Sequence, residues 1–116
     1  WRTLLDAFTR LAATHPGVAI DIVGANRTSP RIDIAGLAAD PRVRIRSYVS
    51  DDELAGLYAQ AGAFVFLSDY EGFGLTPLEA LGAGIPPVVL DTAVSREIYG
   101  DAAVYVSAPQ PALIAA

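Results

Sequence analysis

The sequence has 116 residues, of which 53% are hydrophobic and 18% are charged, and its formal net charge is −5. This balance is typical of one packed globular domain or part of one, and it argues against a disordered chain. All eight basic residues are arginines. Because the sequence offers no broad basic patch, nucleic acid is not an expected partner.

Cysteine is absent and His15 is the single histidine. This excludes disulfides and thiolate metal sites and leaves little for histidine-based acid/base chemistry. No apolar run reaches the length of about 18 residues that a membrane-spanning helix needs. The chain opens at Trp1 directly in a helical pattern and stops at Ala116 soon after another helix begins. We therefore expect both ends to lie inside a longer protein.

The first half of the chain predicts a helix, a strand and a second strand. Apolar residues recur at helical spacing over Leu4–Ala12, and the His-Pro-Gly of residues 15–17 predicts the end of that helix. The β-branched run over residues 18–23 predicts a mostly buried strand. A short helix is expected over residues 34–39. Residues 43–49 alternate apolar and mostly arginine side chains, a pattern typical of a strand with one wet face at a sheet edge.

The second half continues the alternation of helices and strands. Ser50 and Glu53 form a capping box, which predicts the start of a helix with an apolar stripe of Leu54, Leu57, Tyr58 and Ala61. The remaining expected elements are a central strand at 63–67, a helix at 75–81, a strand at 88–90, a helix at 94–98 and a strand at 103–106.

Alternating helices and strands with short connections indicate an α/β fold with a three-layer, Rossmann-like parallel sheet and helices on both faces. Ligands of such sheets bind beyond the carboxyl ends of the strands. Residues 68–80 lie at that edge, between a buried strand and a helix. Gly72 and Gly74 flank Phe73, so the backbone there is free to approach a ligand closely.

The helix that follows this turn presents free N–H groups and a positive end, which favour an anion such as a diphosphate. Glu71 and Glu79 bracket the turn, and carboxylates accept hydrogen bonds from hydroxyl groups. A ligand with phosphates in the middle and hydroxyl-rich rings at each end would match both the positive helix end and the two carboxylates. A nucleoside diphosphate sugar has this layout.

Spacing alone leaves other interpretations open for the same residues. Thr76 and Glu79 are three residues apart, so Glu79 fits a capping box equally well. Glu71 fits a solvated loop acid, and Phe73 fits a core side chain. A glycine-bearing turn between a strand and a helix is a weak signal on its own.

The stretch Glu71-Gly72-Phe73-Gly74-Leu75, followed by Pro77-Leu78-Glu79-Ala80, closely resembles the donor-site motif of the family 4 (group 1) retaining glycosyltransferases. That motif holds two glutamates separated by seven residues. The resemblance extends over residues 43–58, 61–68, 83–86 and 97–103, and so spans nearly the whole chain. It implies the C-terminal nucleotide-sugar-binding domain of a two-domain GT-B enzyme, present here as a partial domain over residues 1–116.

The resemblance also implies residue roles. Glu71 would lie beside the transferred sugar as the catalytic residue, and Glu79 would bind the ribose hydroxyls. The amides of Phe73, Gly74 and Leu75, next to Gly72, would meet the sugar and the diphosphate. Residues near Tyr48 and Val49 would lie against the base. The expected reaction is retaining transfer of a hexose, mannose above others, without a cofactor or bound metal.

Two further expectations concern what the chain does not contain. Relatives place a first strand and two leaving-group cations ahead of the helix at residue 4, and the order 3-2-1-4-5-6 would put that strand between those at 18–23 and 63–67. We do not assign Arg2, Arg27 or Arg31 to the role of the missing cations. The acceptor, a glycan, lipid or small molecule, would bind an N-terminal domain outside this chain, so the chain alone is expected to be inactive.

The family usually has proline where Leu67 stands and often valine where Pro87 stands, and neither position is an expected contact. The expected location is cytoplasmic, with any membrane association provided by the N-terminal domain. Alternatives are a GT-B sugar-nucleotide epimerase and a non-catalytic nucleotide-sugar-binding module. A flavodoxin-like receiver or nucleotide domain lacks support, because no acidic cluster follows a first strand and the chain contains no lysine.

Overall fold

A computed structural model of the chain describes residues 1–25, 31, 33, 36, 39–68 and 75–116. These residues form two compact units. The first unit comprises Trp1–Leu54 and Gln110–Ala116, and the second comprises Ala55–Pro109.

The described residues of the first unit form two helices and two strands, and another helix continues from it into the second unit. Its own elements are helix α1 (Arg2–Thr14), strand β1 (Ile20–Val23), strand β2 (Val43–Arg46) and the C-terminal helix α5 (Pro111–Ile114). Helix α2 (Asp51–Gln60) is the one that continues into the second unit. Helix α1 ends where the proline and glycine of the sequence predict, and α5 packs against it.

The second unit alternates strands and helices. Its elements are strand β3 (Phe64–Phe66), helix α3 (Leu75–Gly82), strand β4 (Pro87–Leu90), helix α4 (Ala93–Tyr99) with a following 3-10 turn (Gly100–Ala102), and strand β5 (Val104–Val106). Helix α4 begins at a side-chain cap, because the Thr92 hydroxyl oxygen accepts a hydrogen bond from the Ser95 amide at 3.1 Å.

Every described strand pairing is parallel. In the first unit β1 pairs with β2, and in the second unit the order is β3-β4-β5. These parallel sheets flanked by helices confirm the predicted α/β, Rossmann-like class. Among the described strands, β1 pairs only with β2 and β3 pairs only with β4. The six-strand order implied by the resemblance remains a prediction.

The core of the first unit lies between α1 and its two strands. Leu5, Phe8 and Ala12 are spaced along one face of α1 and pack with Ile22 and Val43. The spacing of three and four residues places these side chains on one side of the helix, toward the sheet.

The core of the second unit lies between α3 and strands β3 and β4, the elements that α3 contacts. Ala80 is completely buried, and Pro77 and Pro87 are the largest fully buried side chains among the described residues. Val89 and Leu90, on the central strand β4, are also buried.

Several element predictions require correction. Strand β2 ends at Arg46 and not at Val49. The expected stripe on α2 is only half-buried, since no residue of that helix is buried, and Ala61 lies exposed beyond its end. Strand β3 was expected to be a buried central strand, but its three residues are half-buried and it has one strand partner among those described.

The helix expected over residues 34–39 lies almost entirely outside the described residues.

Most ion pairs among the described residues involve arginines on β2 or immediately before it. Arg44 donates to both carboxylate oxygens of Asp21, on the neighbouring strand, at 2.9 and 2.6 Å. Arg42 makes the same two-point contact with Asp40 at 3.0 and 2.7 Å. The Arg42 side chain and amide hold the pKa of Asp40 at about 2, well below its usual 3.8.

We expect Phe8→Ala to lower the free energy of unfolding of the intact protein by about 3–5 kcal/mol, because it opens a cavity in the core of the first unit. Urea unfolding measures this loss. Ala13→Ser, at an exposed position of the same helix, should change stability by less than about 0.5 kcal/mol. Equal losses for the two variants would show that α1 does not pack as described.

The Asp40 pair predicts a pH dependence. Because the folded pKa of Asp40 is about 2 and its usual value is 3.8, the stabilisation is complete above pH 4 and is lost as the pH falls toward 2. Asp40→Asn should therefore flatten the fall of stability between about pH 4 and 2, measured by urea unfolding at a series of pH values. Asp6→Asn, which removes an exposed carboxylate of α1, is the matched control. An unchanged slope in Asp40→Asn would contradict the pairing.

Candidate functional site

The residues predicted to bind the ligand fall into three groups. Glu71, Gly72, Phe73 and Gly74 lie outside the described residues, so their predicted roles stay predictions. Leu75 and Glu79 lie in the second unit, and Tyr48 and Val49 lie in the first.

Helix α3 has one buried and one exposed face. Pro77 and Ala80 are buried against the sheet, while Leu75 is 65% exposed and Glu79 is also exposed. Leu75 and Glu79 are four residues apart and therefore lie on the same side of the helix, one turn from each other. The packing of α3 thus leaves the Glu79 carboxylate accessible to a ligand.

The capping-box interpretation of Glu79 is wrong. Thr76 is the second residue of α3 and not its N-cap. No side-chain hydrogen bond joins Thr76 and Glu79, although both residues are among those described. By contrast, Ser50 and Glu53, which have the same spacing of three residues, do form a capping box.

Tyr58 is a neighbour of Glu79 that sequence reasoning assigned only to an apolar stripe. Burial raises the pKa of the Tyr58 phenol, and the negative charge of Glu79 raises it further. The Tyr58 ring packs at a tilt on Phe64, with ring centroids 6.0 Å apart, and Phe64 stacks on Phe66 at 6.2 Å. Nothing in the sequence relates Tyr58 to Glu79, because they come from different helices.

The predicted base-binding residues follow the carboxyl end of β2. Tyr48 is 84% exposed, which is unusual for a large aromatic side chain, and Val49 is half-buried. The carboxyl ends of parallel strands are where such sheets bind ligands. The role of Tyr48 and Val49 in binding the base stays a prediction.

The segment that carries Tyr48 is fixed at its far end by the capping box. The Ser50 amide and hydroxyl donate to a Glu53 carboxylate oxygen at 2.8 and 3.0 Å, and the Glu53 amide donates to the Ser50 hydroxyl oxygen at 3.3 Å. These bonds to Ser50 lower the pKa of Glu53, with a smaller contribution from the charge of Arg46. The start of α2 is therefore well defined.

The described part of the chain holds neither a candidate metal cluster nor a helix that could span a membrane. No group of three or more histidine, aspartate or glutamate side chains there could hold a metal ion. Among the same residues, no helix combines the length and apolar character needed to cross a bilayer.

The chain belongs to the group 1 glycosyltransferases. The family profile described as "Glycosyl transferases group 1" matches residues 2–116, which is nearly the whole chain. This agrees with the parallel α/β units described above and confirms the family that the glutamate motif indicated.

Individual relatives give further detail. The chain is 47% identical to O-antigen chain mannosyltransferase B of Escherichia coli over 60 residues, 52% of this chain and 16% of that protein. It is 34% identical to mannosylfructose-phosphate synthase of Agrobacterium fabrum over 98 residues, covering 74% of this chain and 21% of that protein.

It is also 34% identical to GDP-mannose:cellobiosyl-diphosphopolyprenol alpha-mannosyltransferase of Komagataeibacter xylinus, over 92 residues, 76% of this chain and 23% of that protein. The chain thus spans about a fifth of the length of these curated relatives.

We expect Ser50→Ala to lower the free energy of unfolding by about 1 kcal/mol, because it removes the cap of α2. Chemical denaturation of the intact protein measures the change. Ser107→Ala, at an exposed position after β5, is the control and should have almost no effect. If both variants unfold at the same denaturant concentration as the wild type, the capping box contributes nothing.

Proposed function

We propose that the protein transfers a hexosyl group, most specifically mannose, from a nucleoside diphosphate sugar to an acceptor with retention at the anomeric carbon, and that this chain binds the donor. Membership of the group 1 glycosyltransferases supports the reaction class. The names of relatives, two of them mannosyltransferases, one with GDP-mannose as donor, support the choice of sugar and donor.

The observation that carries the proposal is the accessible Glu79 carboxylate on the outer face of α3. Proteins rarely bury ionised carboxylates, so exposure by itself is ordinary. Here the exposed acid stands one turn from the first residue of a helix, Leu75, and that helix directly follows Glu71–Gly74 in the sequence. The proposed ligand needs this combination of an anion site and hydroxyl acceptors.

The proposed chemistry follows from these charges. Negative charge grows on the diphosphate as its bond to the sugar breaks, and fixed dipoles that stabilise such charge lower the barrier. The start of α3 would supply dipoles of this kind through its free amides. Glu79 would hold the ribose through charge-assisted hydrogen bonds, and Glu71 would hold the hydroxyls of the transferred sugar.

The remaining tasks would fall to parts of the protein outside this chain. A glycan, lipid or small-molecule acceptor would bind an N-terminal domain, and cations there or in the linking segment would meet the leaving diphosphate. We propose that the reaction takes place in the cytoplasm, that any membrane association is peripheral and comes from that domain, and that it needs no metal.

The test is substitution of the two glutamates in the intact protein. Glu79→Gln should weaken donor binding about tenfold to a hundredfold, because a hydrogen bond to a charged group contributes about 1.5–3 kcal/mol. Glu71→Gln should lower kcat more than it raises KM, because its contacts would be made to the reacting sugar. Isothermal titration with the donor and initial rates of sugar transfer measure the two effects.

Glu97→Gln is the matched control, since Glu97 is an exposed glutamate on α4 of the same unit. Wild-type affinity and rate in both Glu71→Gln and Glu79→Gln would overturn the proposed site. Conversion of the donor to an isomer without transfer would indicate an epimerase instead.

A further inference from the structure

The arginines on and beside β2 differ in how fully they are paired. Arg44 has two short bonds to Asp21. Arg42 has two bonds to Asp40 and one to the Ala12 carbonyl at 3.3 Å, and it covers the Phe8 ring at 5.6 Å. Both guanidinium groups are therefore occupied in holding the first unit together.

Arg46 is different. Its Nε donates one bond to Asp21 Oδ1 at 3.4 Å, near the limit for a hydrogen bond. Arg44 already donates to the same oxygen at 2.9 Å. Nη1 and Nη2 of Arg46 donate to no other residue that the structure describes. The side chain is 41% exposed, so two parallel donors are available at the surface.

The position of Arg46 gives these donors a use. It is the last residue of β2, at the carboxyl end where such sheets bind ligands, and the 84% exposed Tyr48 follows two residues later. An exposed aromatic ring is a stacking surface for any base, whereas a guanidinium fork fits two adjacent acceptors. Guanine offers that pair at O6 and N7; adenine has a donor in place of O6.

We propose that Arg46 is a specificity-determining residue that selects a guanine nucleotide by donating from Nη1 and Nη2 to guanine O6 and N7, with the base against Tyr48. This inference rests on the proposed function, because it takes the base to be part of the donor. Asp21 positions the fork through Nε and leaves both terminal nitrogens to the ligand.

The test uses the intact protein and isothermal titration with GDP, UDP, ADP and 7-deaza-GDP, in which a C–H replaces N7. The wild type should bind GDP about tenfold or more tightly than each of the other three. Arg46→Gln should weaken GDP binding about tenfold to a hundredfold and remove the preference over 7-deaza-GDP. Arg46→Lys, which keeps the charge but not the fork, should behave like Arg46→Gln.

Arg10→Gln, an equal loss of charge at an exposed position of α1, should bind all four nucleotides like the wild type. Equal wild-type affinity for GDP and 7-deaza-GDP overturns the assignment without any variant, so poor folding of Arg46→Gln cannot obscure the result. Equal GDP affinity in Arg46→Lys and the wild type overturns it as well.

Failure of this inference and failure of the proposed function give different results. Sugar transfer from a UDP-linked or ADP-linked donor, with Arg46→Gln fully active, rejects guanine selection and leaves the glycosyltransferase reaction standing. Guanine-selective binding without sugar transfer rejects the glycosyltransferase reaction and leaves guanine selection standing.

Discussion

The burial of one face of helix α3 is the constraint on which the candidate site depends. Ala80 and Pro77 are fully buried on the side of α3 that packs against strands β3 and β4. A helix of 3.6 residues per turn that buries these two positions has to turn Leu75 and Glu79 toward solvent. The accessible carboxylate is thus a consequence of core packing, and replacing Ala80 by a larger residue would disturb the site without touching any ligand.

In the first unit, too, core packing determines which polar side chains are exposed. Phe8 and Val43 hold α1 on the sheet, and the strand end that they fix carries Arg46, followed by the exposed Tyr48. The two-point Asp21–Arg44 pair belongs to the framework, because it satisfies a partly buried carboxylate on β1 and keeps its pKa low. In each unit, apolar packing determines where the polar groups stand, and the polar groups determine what could bind.

Local sequence signals predicted local structure well. The His-Pro-Gly after α1 marked the end of that helix, and the Ser50–Glu53 spacing formed the capping box that it predicted. The family was indicated by the resemblance of residues 71–80 to its donor-site motif, and the family match over residues 2–116 confirms it. The four residues at the centre of that pattern, Glu71–Gly74, lie outside the described residues, so their roles remain predictions.

Features that depend on contacts between distant elements could not be predicted. Thr76 and Glu79 have the spacing of a capping box, and only the position of Thr76 inside α3 excludes it. The proximity of Tyr58 to Glu79 depends on how two helices lie against β3.

The most direct measurement of the central claim is a crystal structure of the intact protein with a nucleoside diphosphate bound. We predict that both ribose hydroxyls lie within about 3.2 Å of the Glu79 carboxylate oxygens; a nucleotide bound with its ribose away from Glu79 would contradict the account.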